Sequence, residues 1–248
     1  MTGHFRSVLI FTTIIVVHEL GHFITGYLLG WKCIRIDIYP YGGCSNFNVP
    51  VNIPLKEEFL VLIMGPLIQI IFIYLIKYIV SSDTYNIFKL YSTWILGFNL
   101  LPIYPLDGGK FIQLVLSKIL SYYQSIKFTI YISYFTFITI LITTLFFKFN
   151  LIMFLIFFLL GISLWKEIRR SYFYYQSFLL ERYMNNYIFK KKINISKIID
   201  MKKDKKHIIL GIDEKEALTK YFNSWYLVIL LISSYNYLND RRLNYETR

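Results

Sequence analysis

The sequence predicts an all-α polytopic membrane protein of about five transmembrane helices, with a small β-hairpin after the first and a short α/β tail on the cytoplasmic side. Hydrophobic residues make up 56% of the 248 and aromatics 19%, and the apolar residues fall in long blocks. The net charge of +12 is uneven: twelve of the twenty-seven Lys and Arg residues lie between Lys166 and Lys206, just after the last apolar block. Such a cluster places the tail in the cytoplasm and finds its counterpart in anionic lipid headgroups of the bilayer, so nucleic acid is not needed to explain it. Cys33 and Cys44 lie in no CxxC or Cys/His zinc pattern, which points to a reduced, structurally minor role.

The apolar blocks give spans over residues 5–30, 58–80, 87–119, 126–147 and 150–165, the last near the short limit for a crossing. The first is not a signal peptide, because it carries an ionisable motif in its middle and lacks a small-residue cleavage site. Counting back from a cytoplasmic tail puts residues 120–125 inside, 81–86 outside, 31–57 inside and the N-terminus outside. Between the first two spans, Ile34, Ile36 and Ile38 alternate with Arg35, Asp37 and Tyr39, and the alternation resumes after Gly42-Gly43 through Phe47, Val49, Val51 and Ile53. This pattern predicts the hairpin. Pro50 makes the second strand an edge that is able to accept an extended peptide by strand addition; a surface loop with no substrate role is the alternative.

His18, Glu19, Leu20, Gly21 and His22 spell H-E-x-x-H inside the first span, where ionisable side chains are costly. Residues four apart share a helix face, so both imidazoles can reach one metal ion, and zinc is the metal this pattern serves. The alternative is a pair of capped or buried histidines. Glu19, turned about 100° from His18, stays outside the ligand set yet can reach a water at the metal, the place of a general base.

A third ligand is needed, and Asp107 is the remaining acidic residue deep in an apolar block. It follows a break, Asn99-Leu100-Leu101-Pro102-Ile103-Tyr104-Pro105-Leu106-Asp107-Gly108-Gly109-Lys110, whose prolines and glycines are tolerated at membrane depth only where protein or water satisfies the freed backbone. His18 lies about 20 Å along its helix at 1.5 Å per residue, past the midplane toward the cytoplasm. Asp107 lies late in a span crossing in the same direction, so the two motifs can meet at one level. Asn99 either caps broken-helix backbone or donates to a developing oxyanion. Gly65-Pro66 and Gln69 in the second span read as a kink with a polar side chain bonded to a neighbouring helix, or as a substrate contact. His4 and His207 have no partner at ligand spacing and are expected to be solvated.

HELGH in one span and NLLPIYPLDGG in a later one resemble the site-2 protease family of intramembrane zinc metalloproteases, over roughly residues 5–165 and including Gly65-Pro66. The resemblance implies one zinc held by His18, His22 and Asp107, Glu19 as base, and Asn99 positioning substrate or the reacting carbonyl. Residues 1–165 would be the transmembrane metalloprotease domain, 166–192 a basic juxtamembrane linker and 193–248 the cytoplasmic tail. The small size is most similar to sporulation-type members, which implies a sigma-factor precursor as the membrane-associated protein substrate, integral membrane regulatory proteins as partners, and a bacterial cell or forespore membrane. Family relatives carry a further span before the HExxH helix, whereas Met1 to His4 alone precede the apolar run here.

In the tail, Ile208-Ile209-Leu210, a helix-like stretch from Asp213 to Asn223 and an apolar run from Trp225 to Ile232 look like one incomplete CBS module. By that likeness the tail would bind an adenine nucleotide. Two rivals to proteolysis stand beside this reading. In a divalent-metal transporter His18, Glu19, His22 and Asp107 would form a transit site, but no inverted repeat is evident. A non-catalytic relative that binds membrane peptides would be expected to have lost a ligand or the base, and all four positions are intact.

Overall fold

The computed structural model describes residues 2–39, 42–146, 151–189 and 191–223. Helix α1 (Thr2–Leu28) leads into a two-stranded antiparallel hairpin, β1 (Lys32–Tyr39) and β2 (Gly42–Asn48). The second strand stops two residues short of Pro50, earlier than the alternation predicts, because proline has no N–H to donate to a ladder. Cys33 pairs with Phe47 and Cys44 with Asp37 in this ladder, so the two cysteines are not cross-strand neighbours.

Helices α2 (Leu55–Ile76), α3 (Ser82–Asn99), α4 (Asp107–Ile119), α5 (Tyr122–Phe146) and α6 (Leu151–Met184) follow. Among the described residues, three helices are long and apolar enough to cross a membrane, over Phe5–Leu28, Leu55–Ile76 and Tyr122–Thr144. Their surfaces run opposite to those of a soluble bundle. On α5, Ser125, Thr129 and Ser133 are buried, their hydroxyls bonded to carbonyls within the helix, while Phe128, Tyr131 and Phe135 face outward. Small hydroxyl residues inside and large apolar ones outside suit hydrocarbon as the surrounding solvent.

The predicted third span is two helices. Residues Leu100–Leu106 fold back between α3 and α4, and protein satisfies their backbone: Tyr104 N–H donates to Ser133 Oγ (2.9 Å) and Leu106 N–H to the Ile103 carbonyl (2.9 Å). Ile103 and Leu106 pack into a core with Phe157, Leu160 and Leu164 of α6. Gly108 permits the fold-back, since a Cβ there would lie 2.2 Å from the Leu100 carbonyl oxygen. The last span also differs: α6 continues through the basic stretch to Met184, because Lys, Arg and Glu are good helix formers and Glu167 pairs with Arg170 one turn on (3.3 Å).

The tail forms a three-stranded sheet: β3 (Lys192–Ile195) pairs in parallel with β4 (Lys206–Ile209), and β4 antiparallel with β5 (Ile212–Asp213). Helix α7 (Glu214–Phe222) follows, with the Asp213 side chain accepting from Lys215 N–H at its start. Met201, Ile209, Leu218 and Phe222 pack against Tyr122 of α5 and Phe178 of α6, so the tail is docked on the helical bundle. The Trp225 to Ile232 run lies outside the described residues.

His207 corrects the expectation of a solvated side chain. It is fully buried, with Nδ1 2.9 Å from Glu214 Oε2 and Nε2 accepting from Lys202 N–H (2.9 Å). Arg182, also buried, donates to Glu214 (3.0 Å), to the carbonyls of Lys202 (2.9 Å) and Lys205 (2.8 Å), and to Asn52 Oδ1 (2.7 Å) in the loop before α2. A single guanidinium thus joins α6, the tail and the α1–α2 connection. Removing one partner of such a buried pair typically costs about 3–5 kcal/mol.

Burial, assisted by the Arg182 charge, holds His207 below the usual histidine range against the pull of Glu214. Burial raises the Glu214 carboxyl, but its hydrogen bond with His207 and the Arg182 charge outweigh that and hold it below the usual range. Both groups bind fewer protons docked than unfolded. The tail's stability is therefore complete above about pH 6.5, declines as pH falls and His207 would protonate in the open state, and declines further below about pH 4.5 through Glu214. Amide exchange in β4 and α7, corrected for intrinsic rates, should speed up relative to α2 between pH 7 and 4.5; protection that stays constant over this range would refute it.

Candidate metal centre

His18 and His22 lie one turn apart on the buried face of α1, both nearly inaccessible, and Asp107 is the first residue of α4. Asp107 Oδ2 is 2.9 Å from His18 Nε2 and 3.1 Å from His22 Nε2, and the two ring nitrogens are 3.2 Å apart. The structure thus brings together the two motifs that the sequence separates by 85 residues or more. Glu19 is buried as well, and ligand-type atoms of His18, Glu19 and His22 all lie within 4.8 Å of one another.

Helix packing sets this geometry. Helices α1 and α2 approach backbone to backbone, and a Cβ on Gly21 would lie 2.5 Å from the Met64 carbonyl oxygen and 2.7 Å from Gly65 Cα. One position on, the His22 ring lies over Gly65, where a Cβ would sit 2.3 Å from His22 Nε2. Small residues at both surfaces are what allow two membrane helices to come this close. His22 Nδ1 donates to the Val61 carbonyl (2.9 Å), since a carbonyl only accepts, and this turns the lone pair of a neutral ring to Nε2 and the centre. His18 Nδ1 lies 2.7 Å from Gln69 Oε1. The other oxygen of Asp107, Oδ1, is 3.5 Å from Lys110 Nζ.

These donors fit a zinc ion in kind and spacing. Two imidazole nitrogens and one carboxylate oxygen stand at the corners of a triangle with sides of 2.9, 3.1 and 3.2 Å. Ligands about 2.0–2.1 Å from a tetrahedral zinc are about 3.3 Å apart, so little movement separates the triangle from one face of that tetrahedron.

A cavity of about 370 Å³ reaches the centre at His22 and Lys110. Its walls include Phe47 of β2, the Val49–Val51 segment, Tyr104 of the fold-back, and Glu58 ion-paired with Lys203 of the tail. Asn99 closes α3 and is buried; among the described residues no hydrogen bond joins it to His18, His22 or Asp107. His4 has no described side-chain surroundings.

Of the groups that contact the histidines, sequence reasoning gave Gln69 as an interhelical bond without its partner at the centre and missed Val61. Gln69, weighed as an interhelical bond or a substrate contact, is fully buried and bonds both His18 and Ser92. A polar residue in the middle of so apolar a helix was the available signal. Val61 acts through its main-chain carbonyl and leaves no trace in residue type.

The model of peptidase family M50 matches residues 7–87 and 79–143. The chain is 34% identical over 190 residues to stage IV sporulation protein FB of Bacillus subtilis, covering 74% of this chain and 66% of that protein. It is 32% identical over 130 residues to a zinc metalloprotease of Methanocaldococcus jannaschii, covering 48% of this chain and 37% of that one. The chain thus spans just under two thirds of the first relative and little more than a third of the second. The solved site-2 protease from Methanocaldococcus jannaschii superposes with a TM-score of 0.54 at 26% identity, over 64% of this chain and 76% of that one. This chain belongs to peptidase family M50, the family its two motifs resemble, and is an integral membrane protein.

Gly65→Ala tests the packing argument. Alanine favours helix over glycine, so helical content should hold, while displacement of the His22 ring should weaken zinc retention by at least about tenfold, the scale of disrupted ligand support. Metal analysis of the purified variant checks this; full zinc occupancy would show that the close approach is not needed.

Proposed function

We propose that this protein is an intramembrane zinc endopeptidase that hydrolyses a peptide bond of a membrane-associated protein near the cytoplasmic face. The observation that carries the reading is the convergence of His18 Nε2, His22 Nε2 and Asp107 Oδ2 beside the buried Glu19 carboxylate, at the end of an accessible cavity. A zinc ion there supplies the Lewis acidity that brings the pKa of a water toward neutral and polarises a peptide carbonyl. Glu19 takes the proton from the attacking water and returns it to the leaving amine. Asn99, buried at the end of α3, positions the substrate or its carbonyl. The Phe47 to Val51 wall holds the substrate as an extended strand, which frees the scissile carbonyl from helical hydrogen bonds.

Similarity to stage IV sporulation protein FB supports a substrate among membrane-associated sigma-factor precursors, held in check by integral membrane regulators at a forespore or cell membrane. The basic cluster from Lys166 to Lys206 supports a cytoplasmic tail. An adenine nucleotide is the ligand we assign to the tail; a recess of about 220 Å³ with Tyr187, Phe189, Lys206 and Lys215 on its walls offers rings for a base and cations for phosphate.

Co-expression of candidate precursors with wild-type and variant protein, read by product mass, tests the reaction. Glu19→Gln should retain zinc and lose cleavage by at least about a hundredfold, in line with loss of a general base, whereas Asp107→Ala should lose zinc as well. A Glu19→Gln protein that still cuts in a purified assay would exclude the mechanism.

A further inference from the structure

The carboxamide of Gln69 is bonded at both ends in the interior of the bundle. Its Oε1 lies 2.7 Å from His18 Nδ1, and its Nε2 lies 3.0 Å from the Ser92 main-chain oxygen and 2.9 Å from Ser92 Oγ. Which end faces which is settled by chemistry, because the Ser92 carbonyl only accepts. The amide nitrogen must therefore face Ser92, and the amide oxygen, an acceptor alone, must face His18. His18 Nδ1 then has to carry the proton.

A neutral imidazole protonated at Nδ1 presents its lone pair at Nε2, the atom that faces Asp107 and His22. We propose that Gln69, anchored on Ser92 of α3, is a positioning residue that fixes the tautomer and ring orientation of His18 for a divalent cation. This inference rests on the zinc-site reading. His22 is set the same way by the Val61 main-chain carbonyl, which no side-chain substitution removes. His18 is thus the ligand whose orientation depends on a replaceable side chain, and through that side chain α3 is tied to the centre. The two anchors on Ser92 are unequal: the carbonyl fixes the direction of the amide, and the hydroxyl adds a second acceptor.

Zinc affinity of the full chain in detergent, by competition with a chromophoric chelator, and the visible spectrum of the cobalt-substituted protein test this. Gln69→Met keeps the shape and removes the acceptor; affinity should fall about 10–100-fold and the cobalt spectrum should change. Ser92→Ala leaves the carbonyl and should stay within about twofold of wild type on that same scale. Gln69→Glu keeps an acceptor facing Nδ1 but gives up the N–H bonds to Ser92, and should bind more tightly than Gln69→Met; if the methionine variant does not fold, Gln69→Leu, which also lacks the acceptor, carries the test by the same loss of affinity and change of spectrum. Wild-type affinity and an unchanged spectrum in Gln69→Met, with His18→Ala weakened, would overturn the positioning role alone. A wild-type chain that binds zinc no better than His18→Ala would overturn the metal-site reading and this inference with it.

Discussion

His18, His22 and Asp107 aim three electron-rich atoms at one point, and atoms so placed repel one another unless a cation lies among them. In a bundle with an apolar exterior that repulsion is poorly screened, which is why the arrangement is informative. The rest of the bundle serves to hold it. Gly21 and Gly65 let α1 and α2 meet backbone to backbone, which sets His22 beside Val61 with its ring over Gly65. Gly108 and Gly109 let the fold-back lie against the first turn of α4, so Asp107 enters at the level of the histidines. The first pair joins helices distant in sequence and the second closes a short fold-back, and a Cβ at any of the four glycines would lie within 2.7 Å of another atom.

The cavity joins this centre to the tail. Glu58, on its wall, pairs with Lys203, and Asp204 next to it accepts from the Leu55 N–H at the start of α2. Glu181 of α6 accepts from the N–H groups of Val51, which also lines the cavity, and of Asn52 next to it. With Arg182 bonded to Asn52, to two tail carbonyls and to Glu214, the tail and the cavity wall share one buried polar network. Such networks resist partial disruption, because any group left behind is buried without its partner. The tail is thus part of the cavity's construction as well as an appendage to the bundle.

Much of the site was legible in the sequence because it is written locally. Four-residue spacing on a helix places His18 and His22 together whatever else the chain does, and a carboxylate after a broken helix is conspicuous in so apolar a segment. The hairpin showed through its alternation, and α7 as a helix-like stretch from Asp213 to Asn223. What could not be read was long-range. Residues 87–119 match one apolar block in hydropathy; its prolines and glycines mark the break, but not how the chain fills it, with Ile103 and Leu106 packed on α6. His207 looked solvated among lysines, yet the fold buries it against Glu214 and Arg182. The supports of the histidines, a side-chain amide and a main-chain carbonyl on α2, follow from a helix crossing that no single-helix pattern encodes.

X-ray absorption at the zinc edge of the purified full chain tests the central claim most directly, because it reads the atoms around the ion without reference to activity. The account predicts one zinc per chain with only nitrogen and oxygen neighbours, at about 2.0–2.1 Å, and an imidazole scattering pattern for two rings. Sulfur at about 2.3 Å, which would bring in Cys33 or Cys44, or a pattern with fewer than two imidazoles, would contradict it.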